Sequence, residues 1–254
     1  MRKGRVFAAI LVLVLVLVRA TAAAAQPPDP NKPQFALGLA VISSPEPYRG
    51  VDDDPLVVPA ISFSYKRFYF RGIYAGFTLF ERNGLQVDVI ARPRLAGYDA
   101  EDSPFLAGME DRRISADLGF EVEWEGEWFG LSLTPVADVL DRSGGQEVSL
   151  DLFKAFRRGP FRIEPRLGVV WQSADSTDYY YGVRPEEALP GRPAYELDDA
   201  AHLTGGVFAF APVTRKLVFQ GFVRAERLSG EVADSPIVDR DLGITGFAAL
   251  SYQF

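Results

Sequence analysis

The chain predicts an all-β fold, a transmembrane antiparallel up-and-down β-barrel of 12 strands, with 10 as the fallback count. Three observations lead there. The closing stretch from Leu242 to Phe254 alternates with period 2 and carries no charge after Asp241, which reads as a strand. Upstream, alternating segments are joined by connections that are by turns short and long. That is the pattern of a barrel whose long loops all lie on one side of a membrane. Nothing reads as a long amphipathic helix.

The elements follow in order. Arg2, Lys3 and Arg5 precede an apolar run from Val6 to Val18 and the small residues Ala22 to Ala25. This predicts a secretory signal peptide over 1–25, because the run falls short of the roughly 20 residues that span a bilayer as a helix. Losing it removes Arg2, Lys3, Arg5 and Arg19 and takes the net charge from −7 to −11. So acidic a surface argues against a nucleic-acid partner. The sequence has no cysteine, which excludes disulfides, thiolate metal sites and a lipoprotein anchor. Residues 26–33 hold four prolines and predict an extended periplasmic lead-in. The barrel is expected over 34–254.

In the first strand Phe35, Leu37, Leu39 and Val41 share a face. In the second, Val57, Pro59, Ile61, Phe63 and Tyr65 do. Pro59 cannot donate to a ladder, so a bulge or irregular pairing is expected there. Phe68 to Arg71 is a short third strand. Ile73–Phe80 and Leu85–Leu95 flank the hairpin turn Arg82-Asn83-Gly84. Strands follow at 114–124, 128–140, 146–156, 161–171, 202–210 and 217–228, before the closing strand. Loops 43–54, 97–111, 175–199 and 229–239 then fall on one side only if Phe68–Arg71 counts as its own strand. Ala116, Leu118, Phe120, Val122 and Trp124 oppose Asp117, Gly119, Glu121 and Glu123, as a lipid-facing exterior and a polar lumen require.

The charged residues within strands are candidates for a lumenal network: Arg92, Arg94, Arg112, Arg113, Arg162, Arg166 and Arg224 with Asp88, Asp117, Glu121, Asp151 and Glu164. Charge facing lipid is costly, so lumenal placement is expected, as a structural ion-pair lattice or a selectivity filter. Glu125 and Glu127, near a turn, are expected to be solvated. Asp52 to Asp54 could ligate Ca²⁺ but lack the spacing of an EF-hand loop. His202, the only histidine, lies near Ser173, Ser176, Asp198 and Asp199 in sequence. No Gly-x-Ser-x-Gly elbow exists, and a hydrogen-bonding residue at a loop end is the expectation. No catalytic, cofactor or metal residue is assigned.

A terminal Phe two residues after Tyr252 resembles the signal that outer-membrane barrels present to their assembly machinery, which implies the outer membrane of a Gram-negative bacterium. Ser44-Pro-Glu-Pro-Tyr-Arg-Gly50, Phe68-Tyr-Phe-Arg-Gly72, Gly108-Met-Glu-Asp-Arg112, Tyr180-Tyr-Gly-Val183 and Asp234-Ser-Pro-Ile-Val-Asp-Arg240 together resemble the MltA-interacting protein (MipA/OmpV) family. Pro47 departs from the family's usual first motif. The resemblance implies a non-enzymatic outer-membrane barrel. For at least one member it also implies a scaffold joining a murein transglycosylase to a murein synthase. A small-solute channel and a lipid-modifying enzyme using His202 remain the alternatives.

Overall fold

In the computed structural model, which describes residues 32–51 and 55–254, thirteen antiparallel strands form one sheet closed on itself. The expected leader, most of the lead-in and Asp52 to Asp54 lie outside these residues. The strands are β1 (Gln34–Ser43), β2 (Leu56–Tyr65), β3 (Phe68–Arg71), β4 (Tyr74–Arg82), β5 (Leu85–Arg94), β6 (Ser115–Glu125), β7 (Gly130–Asp138), β8 (Gln146–Phe153), β9 (Phe156–Arg158), β10 (Phe161–Gln172), β11 (Ala200–Pro212), β12 (Leu217–Arg227) and β13 (Leu242–Gln253).

Twelve strands make the wall. β8 and β9 pair in succession with β10, β8 along Arg166–Gln172 and β9 along Phe161–Ile163. β9 is therefore β8 resumed after an interruption at Lys154 and Ala155. β1 pairs with β2 on one side and with β13 on the other, from Ala36↔Gln253 to Ser43↔Gly246, and this ladder closes the barrel. Both the 12-strand count and the separate strand at Phe68 hold.

The period-2 reading of the faces also holds. Leu37, Leu39, Val57, Leu118, Phe120, Leu150 and Leu152 point outward and are exposed, while Ala36, Ala40, Asp88, Asp117 and Phe153 point inward and are buried. Aromatic side chains cluster where the belt ends, with Tyr252 and Phe254 packed edge to face, the position in which rings anchor a barrel at the interface.

Pro59 departs from expectation. The β1–β2 register runs without a bulge from Gln34↔Ser64 to Ile42↔Leu56. The irregularity lies elsewhere, as a register shift in β4 between Thr78 and Phe80. Pro59 is tolerated because of the neighbour it lacks. β3 reaches only Arg71, opposite Ser62, and β4 restarts at Tyr74. Beyond that hairpin tip β2 runs on from Ala60 to Leu56 with only β1 beside it, and β5 runs on from Pro93 to Arg94 with only β6. A missing N–H costs nothing on an unpaired edge.

Three other wall prolines obey the same rule, and Pro212 stands at the end of β11. Pro93 lies on the facing edge of β5. Pro135 sits where the β6–β7 ladder skips between Gly119↔Val136 and Val122↔Leu133. Pro165 accepts from Lys154 at the β8–β9 interruption.

The closing seam is tight at Gly38, where an added Cβ would come within 2.0 Å of the Leu250 carbonyl oxygen across the β1–β13 ladder. Gly38→Val is expected to lower the fraction of protein that runs as a compact, heat-modifiable barrel on unheated gels. Unchanged mobility and yield would contradict this close packing of the seam.

Candidate functional site

The lumen's main charge lattice is built from the inward residues of β3 to β10. Arg92 and Arg94, two apart on β5, meet Asp117 of β6 and Glu147 of β8 in a four-membered ionic square. Its contacts are Arg92 Nε–Asp117 Oδ2 at 3.2 Å, Arg92 Nη2–Glu147 Oε1 at 2.6 Å, Arg94 Nε–Asp117 Oδ1 at 3.0 Å and Arg94 Nη1–Glu147 Oε2 at 2.9 Å. Each carboxylate receives both arginines, the condition under which buried charge is tolerated. Toward the inner end Glu164, buried, takes Arg162 and Arg166, the latter at 2.6 Å, and Arg166 also reaches Glu123 at 3.0 Å. Tyr69 donates to Asp88 at 2.7 Å and Tyr74 to Glu121 at 3.0 Å.

Most of the expected lattice is present, and three members are not: Asp151 faces inward but makes no ion pair among the described residues, and the other two lie elsewhere. Arg112 and Arg113 lie in the connection before β6, outside the wall. Glu125 is ion-paired with Arg157 rather than simply solvated. Arg224 pairs along its own strand with Glu226 at 3.4 Å. Glu147, the hub of the square, was legible by the same alternation that places Asp151 inward. Glu187, described next, lies in a loop without periodicity and carried no signal.

Above the square, residues 44–51, 95–114, 173–199 and 228–241 fold together into a cap. Tyr48, Tyr98, Leu106, Tyr180, Val232 and Ile237, drawn from all four, share one buried apolar core. Short bridges tie the loops, Tyr48 to Val238 and Tyr98 to Arg112. Loop 173–199 is more ordered than expected, since it holds helix α1 (Ala174–Tyr181) and a 3-10 turn at Pro185–Glu187. α1 reaches down to the lattice. Tyr181 is buried within range of the charges of Glu226, Glu147 and Arg94, which belong to β12, β8 and β5, and burial pushes its hydroxyl well up.

The cap is pinned by Arg112. Its Nη2 donates to Glu187 Oε2 at 2.8 Å, its Nε to the Tyr179 carbonyl at 2.7 Å and its Nη1 to the Glu110 carbonyl at 3.0 Å. The guanidinium also lies 5.9 Å from the Tyr98 ring centre and 5.6 Å from that of Tyr179, within cation–π range. Arg192 adds hydrogen bonds to the carbonyls of Glu187 and Ala107. Burial acts to raise the Glu187 carboxyl. The hydrogen bond from Arg112 and those from the backbone N–H groups of Glu110 and Arg184 outweigh it and hold the carboxyl below the usual range.

His202 is fully buried at the start of β11. Its Nδ1 accepts from the Ser229 N–H at 3.0 Å, so Nε2 carries the proton and faces Gln172 Oε1 at 3.3 Å. Gln172 in turn donates to Glu147 at 3.2 Å. Ser173 Oγ accepts from the Gln146 N–H, and Asp199 accepts from Trp171 Nε1. The histidine thus ties the last loop, with its short helix α2 (Gly230–Ala233), to the lattice. Both ring nitrogens are engaged, and neither serine stands beside it as a nucleophile.

A strand ladder closed without a free seam, an apolar exterior and a charged interior covered by the long loops define an outer-membrane β-barrel. The chain belongs to the MltA-interacting protein MipA family, whose profile matches residues 37–254. It is 28% identical over 224 residues to the MltA-interacting protein of Escherichia coli K12, covering 87% of this chain and 90% of that one. It is 27% identical to the putative outer membrane protein YiaT of the same organism, covering 87% and 91%. Outer membrane protein OmpV of Vibrio cholerae is 26% identical over 62% of this chain and 61% of its own length. Among solved structures, OmpT of Vibrio cholerae aligns with a TM-score of 0.41 and 6% identity, covering 90% of this chain and 99% of that one. Four of the five sequence motifs that resemble the family lie in the cap, and the fifth is the β3 hairpin.

Because the folded pKa of Glu187 is depressed, its stabilisation is complete above the free carboxyl value of about 4.3. It is lost as pH falls through the lower folded value. Loop 173–199 is therefore expected to resist trypsin at pH 7 despite Arg184 and Arg192, and to become open to pepsin as pH is lowered below about 4. Glu187→Gln, which breaks a buried pair worth about 3 kcal/mol, should be cut at pH 7 on the order of 100-fold faster. Equal cutting rates would contradict the role given to Arg112 and Glu187.

Proposed function

We propose that this protein is a non-enzymatic scaffold that holds a murein transglycosylase, and with it a murein synthase, at the inner face of the outer membrane. The observation that carries this reading is the cap: it occupies the outer mouth with packed loops anchored on lumenal charges. A barrel closed in this way offers its partners the inner rim. That rim consists of short turns at 66–67, 83–84, 126–129, 159–160 and 213–216, which follow from the strand order. In barrels of this kind such turns face the periplasm.

The rim has features of a docking surface. Trp128 is 78% exposed on the β6–β7 turn, and Lys154 and Arg157 flank it through contacts to Glu127 and Glu125. An exposed Trp beside arginine is the composition of an interface anchor. The relative named MltA-interacting protein supports the choice of partner class. The cap weighs against a solute channel, and the engaged nitrogens of His202 weigh against lipid hydrolysis.

Full-length protein in detergent extract is expected to capture a lytic murein transglycosylase. Trp128→Ala combined with Arg157→Glu is expected to reduce recovery about tenfold, the size of a modest interface anchor. Capture of no murein enzyme by correctly folded protein would overturn the proposal.

A further inference from the structure

The short β3–β4 hairpin leaves a notch in the wall. β2 continues past its tip by Leu56–Ala60 and β5 by Pro93–Arg94, with no strand between them among the described residues. At roughly 3.3 Å per residue the notch is on the order of 10 Å deep. A Cβ added at Gly72 in the hairpin tip would meet nothing within 4 Å among the described residues. Its outer rim is apolar and exposed, with Val57 at 68%, Ile73 at 56% and Leu95 at 51%. Val57 lies on the outward face of β2, Ile73 in the hairpin tip and Leu95 directly after β5.

The sill carries a cation. Arg71, the last residue of β3, shares the lumen face with Tyr69, and its guanidinium lies 4.6 Å from the Tyr69 ring centre. Tyr69 is itself fixed by its hydrogen bond to Asp88. Stacking on a ring holds a guanidinium in place and leaves its in-plane N–H groups available. Arg71 is exposed and makes no ion pair with a carboxylate among the described residues. The inner wall beside it is lined by small residues, Ala36, Gly38 and Ala40 on β1 with Ala60 on β2, and the Phe222–Phe247 stack lies one and two strands further on.

We propose that the notch is a lateral binding site for a single-chain amphiphile with an anionic head, entering from the membrane. The carboxylate is held by Arg71 on the lumen side, and the acyl chain lies across the apolar rim between β2 and β5. Charge complementarity selects this occupant, as a lone lumenal arginine sits behind an exposed apolar frame. Pro59 and Pro93 disfavour the competing occupant, an added peptide strand. Each removes a donor from one of the two edges that such a strand would have to pair with. This site is independent of the scaffold reading.

The test is binding of cis-parinaric acid to the full chain in a neutral detergent, followed by fluorescence. Oleate is expected to displace the probe, and oleyl alcohol, with the same chain and no charge, to displace it at least tenfold less well. Phosphatidylglycerol tests whether a two-chain lipid shares the site, and displacement by it better than by oleate would overturn the single-chain assignment. Arg71→Gln is expected to weaken binding at least tenfold, and Arg71→Lys to restore most of it. Ala60→Phe, which fills the inner side of the notch without changing charge, is expected to weaken binding comparably. Arg227→Gln, at the outer end of β12, leaves it unchanged. Equal displacement by oleate and oleyl alcohol, or wild-type affinity in either folded Arg71→Gln or folded Ala60→Phe, would overturn the proposal.

Discussion

A bilayer offers no hydrogen-bonding partner to a peptide group, so every strand in the wall needs a neighbour on both sides. The β1–β13 ladder meets that demand, and much of the structure follows from it. Closing the sheet gives each strand an inside and an outside, and period-2 alternation sorts Leu and Phe from Asp, Glu and Arg between them. Closure also decides where proline can stand. Pro59, Pro93, Pro135 and Pro165 all lie where the ladder is interrupted or absent. In this wall these prolines mark the defects.

Closure also creates an interior that must be filled or flooded. Charges placed inward by alternation pair with one another, and the Arg92–Arg94–Asp117–Glu147 square is the densest knot. The loops then use that knot as a floor. α1 rests on it through Tyr180 and Tyr181, while His202 reaches it through Gln172. Arg112 does for the cap what the square does for the lumen. One planar cation satisfies a carboxylate and two carbonyls and is stacked between two rings. A lysine there would offer a point charge and could not reproduce this fork. With the mouth occupied, the inner rim and the notch above β3 are the surfaces left for function.

The wall was legible in the sequence because its physics is local and periodic. Phe68–Arg71 could be recognised as a strand from topological parity alone, and Arg162, Glu164 and Arg166 fell on one face by counting in twos. The cap was not legible in this way. Glu187 and Arg112 are far apart in sequence, neither sits in a periodic segment, and their meeting depends on four loops folding together. The motifs quoted for the family resemblance held that information in composition without geometry. Pro59 was read as a fault within a pairing, when the cause was a neighbour too short to reach it. The notch followed only once register was known.

The claim on which this account turns is that the cap closes the outer mouth, and single-channel recording in planar bilayers tests it most directly. Correctly folded wild-type protein should give no conductance steps. Replacing residues 173–199 by a short Gly-Ser linker from Gln172 to Ala200 should give them. Stable, reproducible steps from the wild-type protein would contradict it.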